Sequence, residues 1–147
     1  MEGVGGIFLG EYQHSIDDKG RVIMPARFRE QLGSTFIVTR GLDGCLFVYP
    51  SVEWVKLAKE VQNLPLAKKD ARAFSRFLFS GAAEVECDKQ GRVPVPSVLR
   101  DYADIEKDVV IVGVSERIEI WAAEKWSTVN DDLLGKFEEL AEKFPHS

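Results

Sequence analysis

"DDKGRVIMP" at residues 17–25 and "DKQGRVPVP" at residues 88–96 are two writings of one turn. Superposed, they agree at Asp17/Asp88, Gly20/Gly91, Arg21/Arg92, Val22/Val93 and Pro25/Pro96. The aspartate suits an Asx-turn, in which its carboxylate accepts a hydrogen bond from the backbone N–H two residues on. The glycine suits a position of positive φ, where a β-carbon is penalised. The arginine can fold back onto its aspartate, but an exposed pair of that kind contributes only about 0–1 kcal/mol. Asp17, Gly20, Asp88 and Gly91 therefore read as turn-structuring residues. The arginines are less well explained by the turn alone.

The repeat extends outward from the turn. An offset of 71 becomes 72 after one inserted residue, and Gly41 then meets Gly113, Leu46 meets Ile118, Val48 meets Ile120, Tyr49 meets Trp121 and Trp54 meets Trp126. A solenoid needs about three repeats or more, so two copies point to a pseudo-twofold unit. Each copy predicts a strand into the turn (about 10–16 and 82–87), then a short strand (21–24 and 92–95). Pro25 and Pro96 open short helices, because proline suits the first helical turn. Two β-rich runs follow in each copy, "TFIVTR" with "CLFVYP" and "DVVIVGV" with "RIEIWA". "GLDG" between the first two is a good hairpin signal, and "GVSE" between the second two a weaker one.

Helices close each half. Trp54, Leu57, Ala58 and Val61 share one apolar face, and a second helix runs through Ala71, Phe74, Phe77 and Leu78 to Gly81. From Trp126 the apolar positions Val129, Leu133, Phe137, Leu140 and Phe144 recur at steps of three and four, which predicts one amphipathic helix with an acidic outer face. Gly135 weakens it by roughly 1 kcal/mol relative to alanine. Such stripes read as core or subunit interface rather than a cofactor pocket. The expected fold class is α+β, a small barrel-like β unit with peripheral helices. Its expected divisions are a first half at 11–53, connecting helices at 54–81, a second half at 82–125 and a C-terminal helix at 126–147.

The chain has 147 residues, 45% hydrophobic and 29% charged, a folded-domain composition. No apolar run approaches the ~20 residues of a membrane span, and "MEGVGG" does not open a secretion signal. The expected location is the cytosol. Cys45 and Cys87 are isolated and His14 and His146 are the only histidines, so no metal-ligand spacing exists and both thiols read as packed and reduced. The net charge of −5 is unevenly placed. Residues 1–100 carry 14 Lys/Arg against 12 Asp/Glu, whereas residues 101–147 carry 5 against 12. Whole-chain charge is a poor guide to any one face.

A rigid tip would lift Arg21 or Arg92, with Lys19 or Lys89 close by, to a defined position, and the following helices add Arg27, Arg29 and Arg100. Arginine's fork holds a phosphate or both acceptors of a guanine edge. An antiparallel β-ribbon also fits the DNA major groove. Two symmetry-related tips would then meet the duplex. Enzyme readings are weaker: there is no phosphate-binding G-x-x-x-x-G-K-[ST] loop and no G-x-S-x-G elbow. His14 as a general base lacks a credible serine or cysteine partner. No catalytic activity, cofactor or metal is expected.

"FLGEYQHSIDDKGRVIMPARFREQLG" (8–33) closely resembles the start of the MraZ family, and "DARAFSRFLFSGAAEVECDKQGRVPVPSVLRDYA" (70–103) resembles its second half. The resemblance runs from Phe8 to about Leu140 and includes the D-x-x-x-R element twice, as Asp17…Arg21 and Asp88…Arg92. It implies two SpoVT-AbrB-like halves forming one swapped-hairpin β-barrel, and assembly into a homo-oligomeric ring. It also implies a nucleoid-associated transcriptional regulator of the division and cell-wall gene cluster that binds short repeats of double-stranded DNA upstream of its own gene. The family's DNA-contacting arginine carries over to Arg21 and, by the matching motif, to Arg92. Lys19, Lys89, Arg27 and Arg29 join them on charge and position alone. Two departures stand out: "MEGVGG" precedes the usual family start near Ile7, and Gln90 stands where the first turn has Lys19. The second makes Arg21 the stronger expected contact. A ring would align one weakly basic face per subunit into a cationic rim. The alternatives are an assembly module in which the D-x-x-x-R pairs are staples, and an antitoxin-like partner protein of the AbrB class. The latter predicts a flexible C-terminal tail, against which the helical pattern through Phe144 argues.

Overall fold

The structure, a computed structural model, describes residues 6–144. The departures at residues 1–5, and the 145–147 end of the expected C-terminal helix, lie outside the described residues. The first half comprises β1 (Phe8–Ser15), β2 (Arg21–Ile23), α1 (Ala26–Leu32), β3 (Thr35–Arg40), β4 (Leu46–Pro50) and α2 (Ser51–Gln62). After α3 (Lys69–Ser80) the order recurs as β5 (Ala83–Glu86), β6 (Arg92–Pro94), α4 (Ser97–Tyr102), β7 (Asp108–Ser115), β8 (Arg117–Ala122) and α5 (Ala123–Leu134). A short α6 (Phe137–Glu142) follows. The α+β class and the duplicated order of elements are as the sequence predicts.

The halves are interleaved. Six antiparallel strands run in the order β1-β7-β8-β4-β3-β5, and β2 and β6 form a separate two-stranded ribbon. The first strand of each half thus lies on the third strand type of the other: Phe8 faces Ser115, and Phe36 faces Val85. The seam between β4 and β8 pairs Leu46 with Ile120, Phe47 with Glu119 and Val48 with Ile118. The ribbon pairs Val22 with Val93. The offsets of 71 and 72 place the pseudo-twofold axis through these two central pairs, Phe47/Glu119 and Val22/Val93. Of the six ladders between named strands, only β3–β4 and β7–β8 stay within one half.

The sheet is covered on both faces. Val22, Met24, Phe28, Val93 and Leu99 pack from the ribbon side against Val38, Val48, Ile111 and Ile120. Each such fully buried side chain contributes about 1.5–3 kcal/mol. On the other face, Trp54 and Leu57 of α2 and Trp126 and Val129 of α5 cover Phe47, Tyr49, Val110, Val112 and Trp121. Burial on both sides explains why β4 and β7 read as continuous apolar runs rather than alternating ones. It also explains why "GVSE" makes its hairpin despite weak turn chemistry: Val114 pairs with Arg117 around Ser115, held at φ 65°. Buried Glu119 is satisfied there by Arg117 Nε and Nη2 (3.1 and 2.8 Å) and Trp121 Nε1 (2.9 Å).

Two expectations change. The boundaries at 53/54 and 125/126 fall inside α2 and α5, because β4 and β8 lead straight into helices at Ser51 and Ala123. The single C-terminal helix is two pieces. α5 ends at Leu134, Gly135 follows, and Lys136 N–H closes the turn onto Leu133 O at 3.0 Å before α6 begins. The apolar stripe packs only as far as Val129; Leu134, Phe137 and Phe144 stand 73%, 73% and 66% exposed.

Candidate nucleic-acid interface

The Asp-x-x-Gly-Arg turns form as their residue types require. Asp17 Oδ1 accepts from the backbone N–H of Lys19 (3.0 Å) and of Arg21 (2.9 Å), and Oδ2 accepts from Arg21 Nε at 2.9 Å. Asp88 repeats the pattern with Gln90 N–H (2.9 Å), Arg92 N–H (2.9 Å) and Arg92 Nε (2.7 Å). Gly20 and Gly91 take φ of 78° and 81°, the conformation that favours glycine. The backbone N–H of Arg21, then its guanidinium and the N–H of Lys19, hold the Asp17 carboxyl below its ordinary value of 3.8 against the opposing effect of desolvation. Asp88 is lowered in the same way, chiefly by the N–H of Arg92.

Only the Nε of each arginine is used in these bonds; among the described residues no hydrogen bond engages the Nη atoms of Arg21 or Arg92. Alternation along the ribbon does the rest. Val22 and Val93 are 1% and 0% exposed and face the core, so Arg21, Ile23, Arg92 and Pro94 share the outer face. Arg21 lies opposite Pro94 and Arg92 opposite Ile23, which sets the two arginines on a diagonal of about 7–8 Å. Taken along the chain, the two turns are separate tips. The structure brings both onto one two-stranded ribbon, because β2 pairs with β6 across the halves and meets its own half's Ile16 in a single isolated bridge.

Lys19, Lys89 and Arg27 are exposed around this ribbon. Arg29, grouped with Arg27 on charge and position, reaches the other half from α1. Its guanidinium packs over Gly91 of the other half's turn, where a β-carbon would lie 2.7 Å from Arg29 Cζ. Arg100, its counterpart, packs likewise over Gly20 at 2.8 Å from Cζ. Nothing local in the sequence marks this exchange. Its one signal is that Arg29 and Arg100 are equivalent in the repeat.

A family model described as "MraZ protein, putative antitoxin-like" matches residues 7–77 and again 78–143. The chain belongs to the MraZ family. Among its relatives are proteins named "Transcriptional regulator MraZ". Those of Heliobacterium modesticaldum and Natranaerobius thermophilus are each 58% identical over 137 residues, covering 93% of this chain and 96% of the relative. The one from Desulforamulus reducens is 57% identical over 136 residues, 92% of this chain and 96% of its own length. MraZ is thus a regulator family and not an enzyme class.

Elsewhere the chemistry is quiet. His14 lines an open groove with Glu11, Asp108, Trp126 and Asp131, and no group of three His, Cys, Asp or Glu among the described residues could hold a metal ion. Cys45 is buried and Cys87 half-buried, both free thiols. Burial pushes the Cys45 thiol up to about 12. No helix among the described residues is long and apolar enough to cross a membrane.

Proposed function

We propose that this protein is a transcription regulator acting in the cytoplasm on nucleoid DNA, and that the β2–β6 ribbon is its DNA-binding surface. The observation that carries this reading is the convergence of Arg21 and Arg92 on one outer face, each with its Nε held by its own aspartate and its Nη atoms turned to no partner among the described residues. A two-stranded antiparallel ribbon fits the major groove, and a guanidinium fork matches the O6/N7 edge of guanine or a phosphate. Lys19, Lys89 and Arg27 add phosphate-seeking charge around it. The names of the relatives support regulation. The family resemblance supports short promoter repeats ahead of the division and cell-wall gene cluster as the target.

The same reading makes the working form a homo-oligomeric ring of SpoVT-AbrB-like swapped-hairpin units. Two features favour assembly. Leu134, Phe137 and Phe144 lie exposed at the C-terminal end. The segment 51–80 carries six Lys/Arg against three Asp/Glu, while 123–144 carries three against six. Opposite charge on two separate segments of one chain suits a head-to-tail contact, which forms a ring where the rotation closes. Several repeats bound at once would then multiply a modest single-site affinity.

The test is fluorescence anisotropy of a labelled duplex from the protein's own upstream region, at several salt concentrations, for wild type and Arg21→Ala. Light scattering checks that the two are equally oligomeric. The expected result is binding that weakens as salt rises, because phosphate contacts release counterions, and a large loss in the mutant. Equal binding by the two proteins removes Arg21 from the interface. A mutant that falls apart makes the turn an assembly staple.

A further inference from the structure

Arg100 and Arg29 take no part in the hydrogen bonding of their own half's turn, yet each is seated on the turn of the other half. Arg100, on α4 of the second half, donates from Nη1 to the carbonyl of Val95 at 2.5 Å. Val95 in turn donates its N–H to the carbonyl of Gly20 at 2.9 Å. The guanidinium fills the place a β-carbon of Gly20 would occupy. One flat cation therefore holds both the strand leaving β6 and the glycine immediately before Arg21. In the first half the mirror arrangement has Met24 N–H donating to Gly91 O at 2.9 Å, with the Arg29 guanidinium over Gly91. The two clamps are unequal, because no carbonyl bond from Arg29 accompanies that of Arg100 among the described residues.

We propose that Arg100 and Arg29 are crossed positioning residues for DNA reading: Arg100 sets the turn that carries Arg21, and Arg29 the turn that carries Arg92. The inference rests on the ribbon being the DNA surface. A planar guanidinium can pack against a glycine and still present an edge N–H to a carbonyl, whereas a lysine ammonium keeps the charge but not the plane. Gly20 and Gly91 are then constrained twice, by their positive φ and by the cation that occupies the place where a side chain would start. The stronger clamp belongs to the turn that carries Lys19 directly before its glycine.

The experiment is a set of double-mutant cycles read by DNA anisotropy on the assembled full-length protein. Arg100→Lys is combined with Arg21→Ala and, separately, with Arg92→Ala. Coupling in such a cycle appears only between residues that act through one another. Arg100→Lys is expected to weaken binding about tenfold in the wild-type and Arg92→Ala backgrounds, and by less than about twofold when Arg21 is already alanine. An equal loss in all three backgrounds overturns the proposal, since a direct phosphate contact or general destabilisation would act regardless of Arg21. The Nε–H resonances of Arg21 and Arg92 give a readout without DNA. Arg100→Lys should shift that of Arg21 and leave that of Arg92, and a spectrum with neither moved also overturns it. If wild type binds no DNA while the Arg21 resonance still responds, the DNA reading fails and the clamp stands as a structural device. Should Arg100→Lys not assemble, Arg29→Lys against Arg92→Ala supplies the same cycle on the weaker clamp.

Discussion

The two turns are alike in nearly every bond, whereas the two sets of closing helices differ. Asp17 and Asp88 accept the same three hydrogen bonds, and Gly20 and Gly91 agree in φ to within a few degrees. α2 and α5 share Trp54/Trp126, the apolar pair Leu57/Val129 and their place on the sheet, while the segments they open have opposite charge. The difference follows from what each region touches. The turns are bonded to each other's halves through Gly20, Gly91, Met24 and Val95, so a change in one is felt in both. The helices lie on the far face of the sheet and answer to separate surroundings.

That contrast breaks first if the two turns prove unequal in function. Arg21→Ala and Arg92→Ala should each weaken DNA binding, a lost bidentate contact being worth about 1–3 kcal/mol per site. Arg21 is expected to lose more because Lys19 stands where its partner turn has Gln90, and titrations at matched salt would measure the gap. The seam offers a second comparison, since Phe47 and Glu119 occupy equivalent positions on the axis. Glu119→Ala strands Arg117 and Trp121, and urea denaturation should register a loss of about 1–3 kcal/mol. Phe47→Leu should cost less, about 1 kcal/mol, because it loses a small volume and the ring's contacts but strands no polar group.

Gly20→Ala sharpens the equality of the turns. A β-carbon at φ 78° that also meets the Arg100 guanidinium should lower stability by about 1–3 kcal/mol. Gly91→Ala should cost somewhat less, because Arg29 has no carbonyl bond to lose, and equal melting shifts would mean that the Arg100 bond adds nothing. The smallest effect is in acid. Both aspartates have folded-state values held below the ordinary 3.8, so the stability they contribute is present above that value and disappears as pH falls through their lowered one. Unfolding midpoints should therefore drop below about pH 4, and the drop should flatten in Asp17→Asn/Asp88→Asn.

Much of this was legible in the sequence where the physics is local. An Asp, a Gly three residues on and an Arg one further specify their bonds within five residues, and these bonds form. The hairpins and short helices were likewise marked by prolines, glycines and β-branched runs. The pairing of β1 with β7 and of β2 with β6 was not, because no local pattern encodes register between strands some 70 to 100 residues apart. Arg27 and Arg29 look alike in charge and position, and only the cross-half geometry separates an exposed cation from a clamp. The break at Gly135 was foreshadowed by its low helix propensity, but the three-and-four periodicity continues across it and hides the interruption.

The interleaving has a consequence during synthesis. β1 finds its partner only when β7 has been made, about 100 residues later, which at ~5–20 residues per second takes on the order of 5–20 s on the ribosome. Until β6, β5 and β8 are made, β2, β3 and β4 of the nascent chain respectively present edges whose partners do not yet exist, and open edges pair with whatever matches them. The nearest match is the equivalent half on a neighbouring ribosome of the same message. A chain built this way is exposed to exchange with its siblings before it has finished becoming itself.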